Sequence, residues 1–145
     1  MATRQARTEW SGGLQDGSGT TTLVSSGLAT YNVSFPTRSA DSANGSTSPE
    51  ELIAAAHSAC YSMQLSAMLT EAGGTVRNIT TDAEVGLGPD PAGGFRLTGI
   101  KLTVRATVDG LDEAAFTEAA NGAKAGCPVS KALTGVEITL DAALA

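Results

Sequence analysis

Aromatic side chains make up only 4% of the chain. A core without many large rings must be assembled from Ala, Val, Leu and Ile. Positive charge is also short: 9 Lys and Arg stand against 15 Asp and Glu, for a net charge of −6. Neither nucleic acid nor an anionic membrane attracts an acidic protein electrostatically, which argues against both as partners. No apolar run reaches about 18 residues, so no membrane span is expected. MATRQARTEW at the start carries positive charge, but no apolar segment follows it, so it does not read as a secretory signal. A cytoplasmic location is the resulting expectation, where thiols are kept reduced. Cysteine is scarce. Cys60 and Cys127 are the only two, with no CxxC spacing and a single histidine, so no zinc site is expected. Two thiols in a reducing compartment are a weak structural framework; if they pair, the pairing is expected to be transient and chemical.

What is present suggests one domain of 145 residues. The first third is rich in Gly, Ser and Thr, with strand-like pieces around Thr21–Val24 and Asn32–Phe35, which predict an antiparallel meander. PTRSADSANGSTSP reads as a polar surface loop carrying Arg38. Ser48, Pro49 and Glu51 form a capping-box pattern that opens a helix. Leu52, Ile53, Ala56, Ala59, Cys60, Met63 and Ala67 recur at helical spacing and predict the apolar stripe, and Gly73-Gly74 stops the helix. A strand over Val76–Leu87, the turn GPDPAGG and an alternating strand through Val108 follow. A second helix is capped by Asp112, a short third one opens at Cys127-Pro128, and a final strand runs from Val136 to Leu144. Strands, helix, strands, helix, strand in this order predict an α+β fold with antiparallel sheets around a long central helix.

The candidate chemistry is carried by few residues. Cys60 reads first as a small buried hydrophobe, inert unless a cation lies close. Cys127 falls at a helix N-cap, where free N–H groups favour a thiolate, although Ser, Asp or Asn would cap better. His57 lies three residues before Cys60, so a Cys–His nucleophile and base is conceivable. The plainer reading is a polar residue at the edge of a packed helix.

PEELIAAAHSACYSMQLS followed by AGCPVSKAL resembles the OsmC/Ohr family of thiol-dependent peroxidases, and its OsmC branch in particular. The resemblance extends over nearly the whole chain, from Trp10-Ser11-Gly12 through FPTR to the closing EITLD. It implies reduction of organic hydroperoxides, with Cys60 as the peroxidatic and Cys127 as the resolving cysteine. Glu50 matches the family's active-site glutamate, and Arg38 in FPTR matches the OsmC-type arginine. No arginine stands between Arg7 and Arg38, where the Ohr branch draws its own. Ser48 replaces an Asn common in relatives, and His57 matches no catalytic position.

On this resemblance, Arg38 supplies the cation that makes Cys60 a thiolate, and Glu50 holds Arg38 through a bidentate pair. Cys60 becomes a sulfenic acid, and Cys127 condenses with it to a disulfide. No metal, heme or flavin is implied; an external dithiol, of lipoyl type in the family, recycles the enzyme. Glu50 and Cys60 are ten residues apart, or about 15 Å along a continuous helix, so one arginine could hardly touch both within one chain. Arg38 and Glu50 are therefore expected from one subunit and Cys60 and Cys127 from its partner, in agreement with the intertwined homodimer, with sites at the subunit interface, that the resemblance implies. Two other classes compete: a cysteine hydrolase or acyltransferase using His57, and a non-enzymatic small-ligand binder.

Overall fold

The computed structural model describes residues 1–145. The chain packs as two compact units, Met1–Leu52 and Ile53–Ala145.

The first unit is built on a small antiparallel meander. Strands β1 (Arg7–Ser11), β2 (Ser18–Thr22) and β3 (Thr30–Val33) lie in that order. Threonines stabilise it across the strands: Thr8 Oγ1 lies 2.9 Å from Thr21 Oγ1, and Thr22 Oγ1 lies 3.0 Å from Thr30 Oγ1. The segment expected as loop begins instead with a one-turn helix, α1 (Phe35–Arg38). Ser34 caps it by accepting from the Thr37 N–H, and Pro36 sits in its first turn, where its missing N–H costs nothing. Helix α2 (Pro49–Glu71) then opens at Ser48, whose hydroxyl accepts from the Glu51 N–H at 3.2 Å. Glu51 does not close the box; its carboxylate accepts from the Thr47 hydroxyl.

The second unit holds the apolar core. Strands β4 (Thr75–Pro89) and β5 (Phe95–Asp109) form a long hairpin. Its turn closes through Gly93 N–H to Asp90 C=O at 2.8 Å and Asp90 N–H to Gly94 C=O at 2.9 Å. Ile100, Leu102, Val104 and Ala106 of β5 are all buried, the alternation of a strand with one face in the core. Helix α3 (Glu113–Gly126) starts at Asp112, which accepts from the Ala115 N–H at 2.9 Å, and packs Phe116, Ala119, Ala120 and Ala123 inward. A short α4 (Pro128–Ala132) leads to β6 (Ile138–Leu144).

The α+β class holds, with one correction to the sheets. β6 pairs parallel with β5, so the β4-β5-β6 sheet is mixed rather than antiparallel. Two helices separate these strands, and a parallel neighbour needs such a crossover where a hairpin does not.

The buried face of α2 also differs from the expected stripe. His57, Tyr61, Leu65 and Leu69, four residues apart, are fully buried, whereas Met63 is 73% exposed and Ala56, Ala59 and Ala67 face outward. The helix ends at Gly73, whose φ of +92° lets the chain turn back. Gly74 N–H reaches Leu69 C=O at 2.9 Å and Gly73 N–H reaches Thr70 C=O at 3.0 Å, the paired bonds of a Schellman cap.

These placements set a stability scale. Leu65→Ala removes a fully buried side chain and is expected to cost about 2–5 kcal/mol. Asp112→Ala removes only a cap and is expected to cost about 1 kcal/mol. Urea unfolding of the two variants checks the order; equal losses would contradict the assignment of the core face.

Candidate active site

Two clusters carry the residues singled out by the sequence, one in each unit. In the first unit, α1 ends on Arg38 and the first turn of α2 presents Glu50. Arg38 Nε lies 3.2 and 3.1 Å from Glu50 Oε1 and Oε2, and Nη2 lies 2.7 Å from Oε1. This is a fork-like, charge-assisted pair, stronger and more directional than a single contact. The Glu50 side chain is only 9% exposed, against 31% for Arg38. Burial alone pushes the Glu50 carboxyl up. The Arg38 hydrogen bonds, its own backbone N–H, the Arg38 charge and the Ser48 hydroxyl outweigh that and hold it below its ordinary 4.5. Arg38 Nη1 has no protein partner, so the guanidinium keeps a donor edge available beyond the carboxylate.

In the second unit, the sulfurs of Cys60 and Cys127 lie 3.1 Å apart, both as free thiols. A disulfide places its sulfurs about 2.0 Å apart, so closing the bond needs roughly an ångström of movement. Cys60 is half-buried on α2, and Cys127 is buried at the junction of α3 and α4. Two polar ties flank the pair. The Tyr61 hydroxyl donates to Ala120 C=O at 3.0 Å, fixing α2 to α3. His57 Nε2 lies 2.8 Å from Ser130 Oγ, fixing α2 to α4.

The two thiols sit in opposite electrostatic settings. Burial pushes Cys60 up; a Val129 backbone N–H opposes this, but the neighbouring Cys127 sulfur adds to the rise. Burial pushes Cys127 up as well. There the Ser130 backbone N–H, Cys60, the Ser130 hydroxyl and the Val129 N–H together outweigh it, and the thiol is lowered.

The structure thus brings Arg38 to Glu50 and Cys60 to Cys127. His57, left out of the site on sequence grounds, is fully buried and bonds Ser130 rather than Cys60. Ser130 was missed altogether. Its only signal in the sequence is its place three residues after Cys127, in the first turn of a helix that begins at Pro128.

The Arg38–Glu50 pair has a pH signature. Glu50 is depressed in the folded chain, so its contribution to stability is complete above 4.5 and is lost as pH falls through its lower folded value. Arg38→Ala leaves burial unopposed by the guanidinium, and the Glu50 carboxyl is expected to titrate above 4.5 instead. Carboxyl NMR titration reads this directly. The stability difference between wild type and variant should also narrow in acid; a difference that stays constant would remove the pair's role.

The model of the OsmC-like protein family matches residues 41–141. Peroxiredoxin OsmC of Escherichia coli K12 is 44% identical over 138 residues, covering 95% of this chain and 94% of that protein. Among solved structures, the organic hydroperoxide resistance protein OhrB of Bacillus subtilis superposes with a TM-score of 0.77 at 27% identity, over 97% of this chain and 98% of that one. An organic hydroperoxide resistance protein of Elizabethkingia anophelis, with thiocyanate bound, gives a TM-score of 0.79 at 25% identity, over 100% and 98%. No helix is long and apolar enough to cross a membrane. The chain belongs to the OsmC-like family and, by its higher identity to peroxiredoxin OsmC than to OhrB, to the OsmC branch of it.

Proposed function

We propose that the chain is a cysteine-based peroxidase that reduces organic hydroperoxides to alcohols in oxidative or osmotic stress defence. The observation that carries this reading is the 3.1 Å approach of two free sulfurs from distant parts of the sequence. Membership of the OsmC branch, with a peroxiredoxin among the relatives, supports it.

Cys60 is the peroxidatic residue in this reading. Its thiolate attacks one peroxide oxygen, the O–O bond breaks, and the alcohol leaves after taking a proton. The Cys127 thiolate then attacks the sulfenic sulfur of Cys60. An S–S bond forms, the S–O bond breaks, and hydroxide leaves, becoming water as it takes up the proton that Cys127 gave up on ionising. An external dithiol, of lipoyl type, restores both thiols by exchange. In this reading no metal, heme or flavin takes part.

Burial and the neighbouring Cys127 sulfur leave the Cys60 thiol raised. A guanidinium would favour its thiolate and hold the attacked oxygen. We assign that role to Arg38, oriented by Glu50, of a second subunit in a homodimer. The first unit supports a dimer independently, because it contains no buried apolar side chain while Leu28 is 83% exposed and Leu14 59%.

The hydrolase alternative loses its base. His57 is fully buried, Nε2 engages Ser130, and burial holds its ring neutral.

The test is consumption of cumene hydroperoxide with dihydrolipoamide as reductant. Wild type should turn over continuously and Cys60→Ser not at all, while Cys127→Ser should stop after about one turnover as Cys60 over-oxidises. Arg38→Ala should lower kcat/KM for the hydroperoxide by about 10²–10³. A fully reduced wild type that consumes no hydroperoxide would sink the reading, as would a Cys127→Ser variant that cycles normally.

A further inference from the structure

We propose that the recycling dithiol attacks the Cys60 sulfur of the Cys60–Cys127 disulfide and expels Cys127, so that hydroperoxide and reductant use one opening, at Cys60, in turn. The inference rests on the two-cysteine peroxidase reading and adds to it the direction of the second half-reaction.

Exposure separates the two sulfurs. Cys127 belongs to the apolar core and is 0% exposed, whereas Cys60 is only half-buried and packs against that core. Ala123 and Ser130, on either side of Cys127 in the chain, are 0% and 5% exposed. Gln64, one turn beyond Cys60 on α2, lies over the backbone just before Cys127: a Cβ on Gly126 would stand 3.4 Å from its Nε2. The Cys127 N–H donates to Ala123 C=O at 2.9 Å, and its C=O accepts from the Lys131 N–H at 3.0 Å, so the residue is fixed at both ends. Closing the disulfide shifts the sulfurs by about an ångström. That is too little to bring Cys127 from the core to the surface.

Thiol–disulfide exchange is directional. The incoming thiolate must reach the attacked sulfur from the side opposite the sulfur that leaves. Attack on Cys127 would place the reductant on the far side of Cys127 from Cys60, and Cys127 has no exposed surface on any side. Cys60 differs. Cys127 covers its near side, so the surface that Cys60 keeps lies elsewhere. The hydroperoxide has to reach Cys60 there in the first half-reaction, and the same opening admits a sulfur.

The exchange balances. One thiolate of the dithiol bonds to the Cys60 sulfur as the Cys60–Cys127 bond breaks, and the electron pair leaves on Cys127. A more acidic thiol leaves faster, and Cys127 is the lower of the two. The second thiol of the reductant then attacks the reductant sulfur of the mixed disulfide. A cyclic disulfide forms, Cys60 is released, and the two cysteines take up the two protons that the dithiol gave up.

Trapping the mixed disulfide tests the direction. Wild type oxidised with one equivalent of diamide is mixed with mercaptoethanol, a monothiol that cannot close a ring on itself. The mixture is quenched early in acid, free thiols are alkylated, and the cysteine peptides are weighed by mass spectrometry. The adduct should sit on Cys60, with Cys127 alkylated. An adduct on Cys127, or equal amounts on both, overturns the proposal.

A second measurement sets exposure against ionisation. Reduced Cys127→Ser, which keeps Cys60, and reduced Cys60→Ser, which keeps Cys127, are each treated with an aryl disulfide that releases a coloured thiolate. Cys127 should react at least about tenfold more slowly, because it waits for local opening, although its thiol is the more readily ionised. Equal rates, or a faster Cys127, overturn the proposal, as does a difference that persists in denaturant. A Cys60 adduct from a protein that consumes no cumene hydroperoxide would defeat the peroxidase reading and leave the direction of exchange standing.

Discussion

Two sulfur atoms held 3.1 Å apart without a bond between them set the constraint around which the second unit is arranged. Bringing Cys60 to Cys127 means fixing the middle of α2 against the junction of α3 and α4. Apolar burial supplies the affinity through Leu65, Leu69, Phe116 and the β5 side chains. It does not by itself set the rotation of a helix to within an ångström. Directional bonds do that here. Tyr61 to Ala120 and His57 to Ser130 flank Cys60 on the same face of α2, and both are formed out of water, where a misplaced polar group is costly. The buried polar atoms thus specify register, and the apolar ones stabilise it.

Charge is distributed with the same economy. Burial leaves Cys60 raised, whereas Cys127 is lowered. A thiol left in that state is protected from stray oxidants, because the thiolate is the reactive form. The guanidinium, meanwhile, is held by a nearly buried carboxylate that occupies one edge and leaves Nη1 unengaged. Glu50 sits in the first turn of a long helix, where backbone N–H groups stabilise its negative charge before Arg38 arrives. A carboxylate so fixed can orient an arginine without itself moving.

Much of this was legible in the sequence, and the exceptions share a cause. Caps and turns are local chemistry, so Ser48, Asp112, Gly73-Gly74 and the Asp90–Gly94 turn could be read directly. The hydrophobic alternation of β5 left little choice about which residues go inward. The face of α2 was misread because alanine scores as apolar yet decides little. Ala56, Ala59 and Ala67 suggested a stripe, while the face actually buried carries Tyr61 and His57, whose polar tips disguise large packed bodies. The parallel pairing of β6 is a long-range choice that no short segment encodes. Ser130 escaped notice for a related reason: its partner His57 lies 73 positions away. The cysteines were recognisable because their motifs are distinctive, whereas the His57–Ser130 pair that ties α2 to α4 is made of ordinary residues.

The first unit poses the remaining physical question, because it spends ordering entropy with little visible return. Fixing each residue's backbone costs about 1–2 kcal/mol, yet none of the apolar side chains from Met1 to Leu52 is buried. Its most buried groups are Thr21, Thr47 and Glu50, all polar. Cross-strand threonine contacts and a three-stranded ladder contribute only fractions of a kcal/mol each. A three-stranded sheet needs a covered hydrophobic face to be stable by itself. Trp10, Leu14, Val24 and Leu28, all exposed, are the side chains available to make one. In the second unit, the outward face of α2 offers Ala56, Ala59, Met63 and Ala67, small side chains that allow close approach of another backbone. Surfaces of this kind in two copies of one chain are what the proposed homodimer requires. The same association would carry Arg38 of one subunit to Cys60 of the other, so that burial of apolar surface and completion of the active site would be one event.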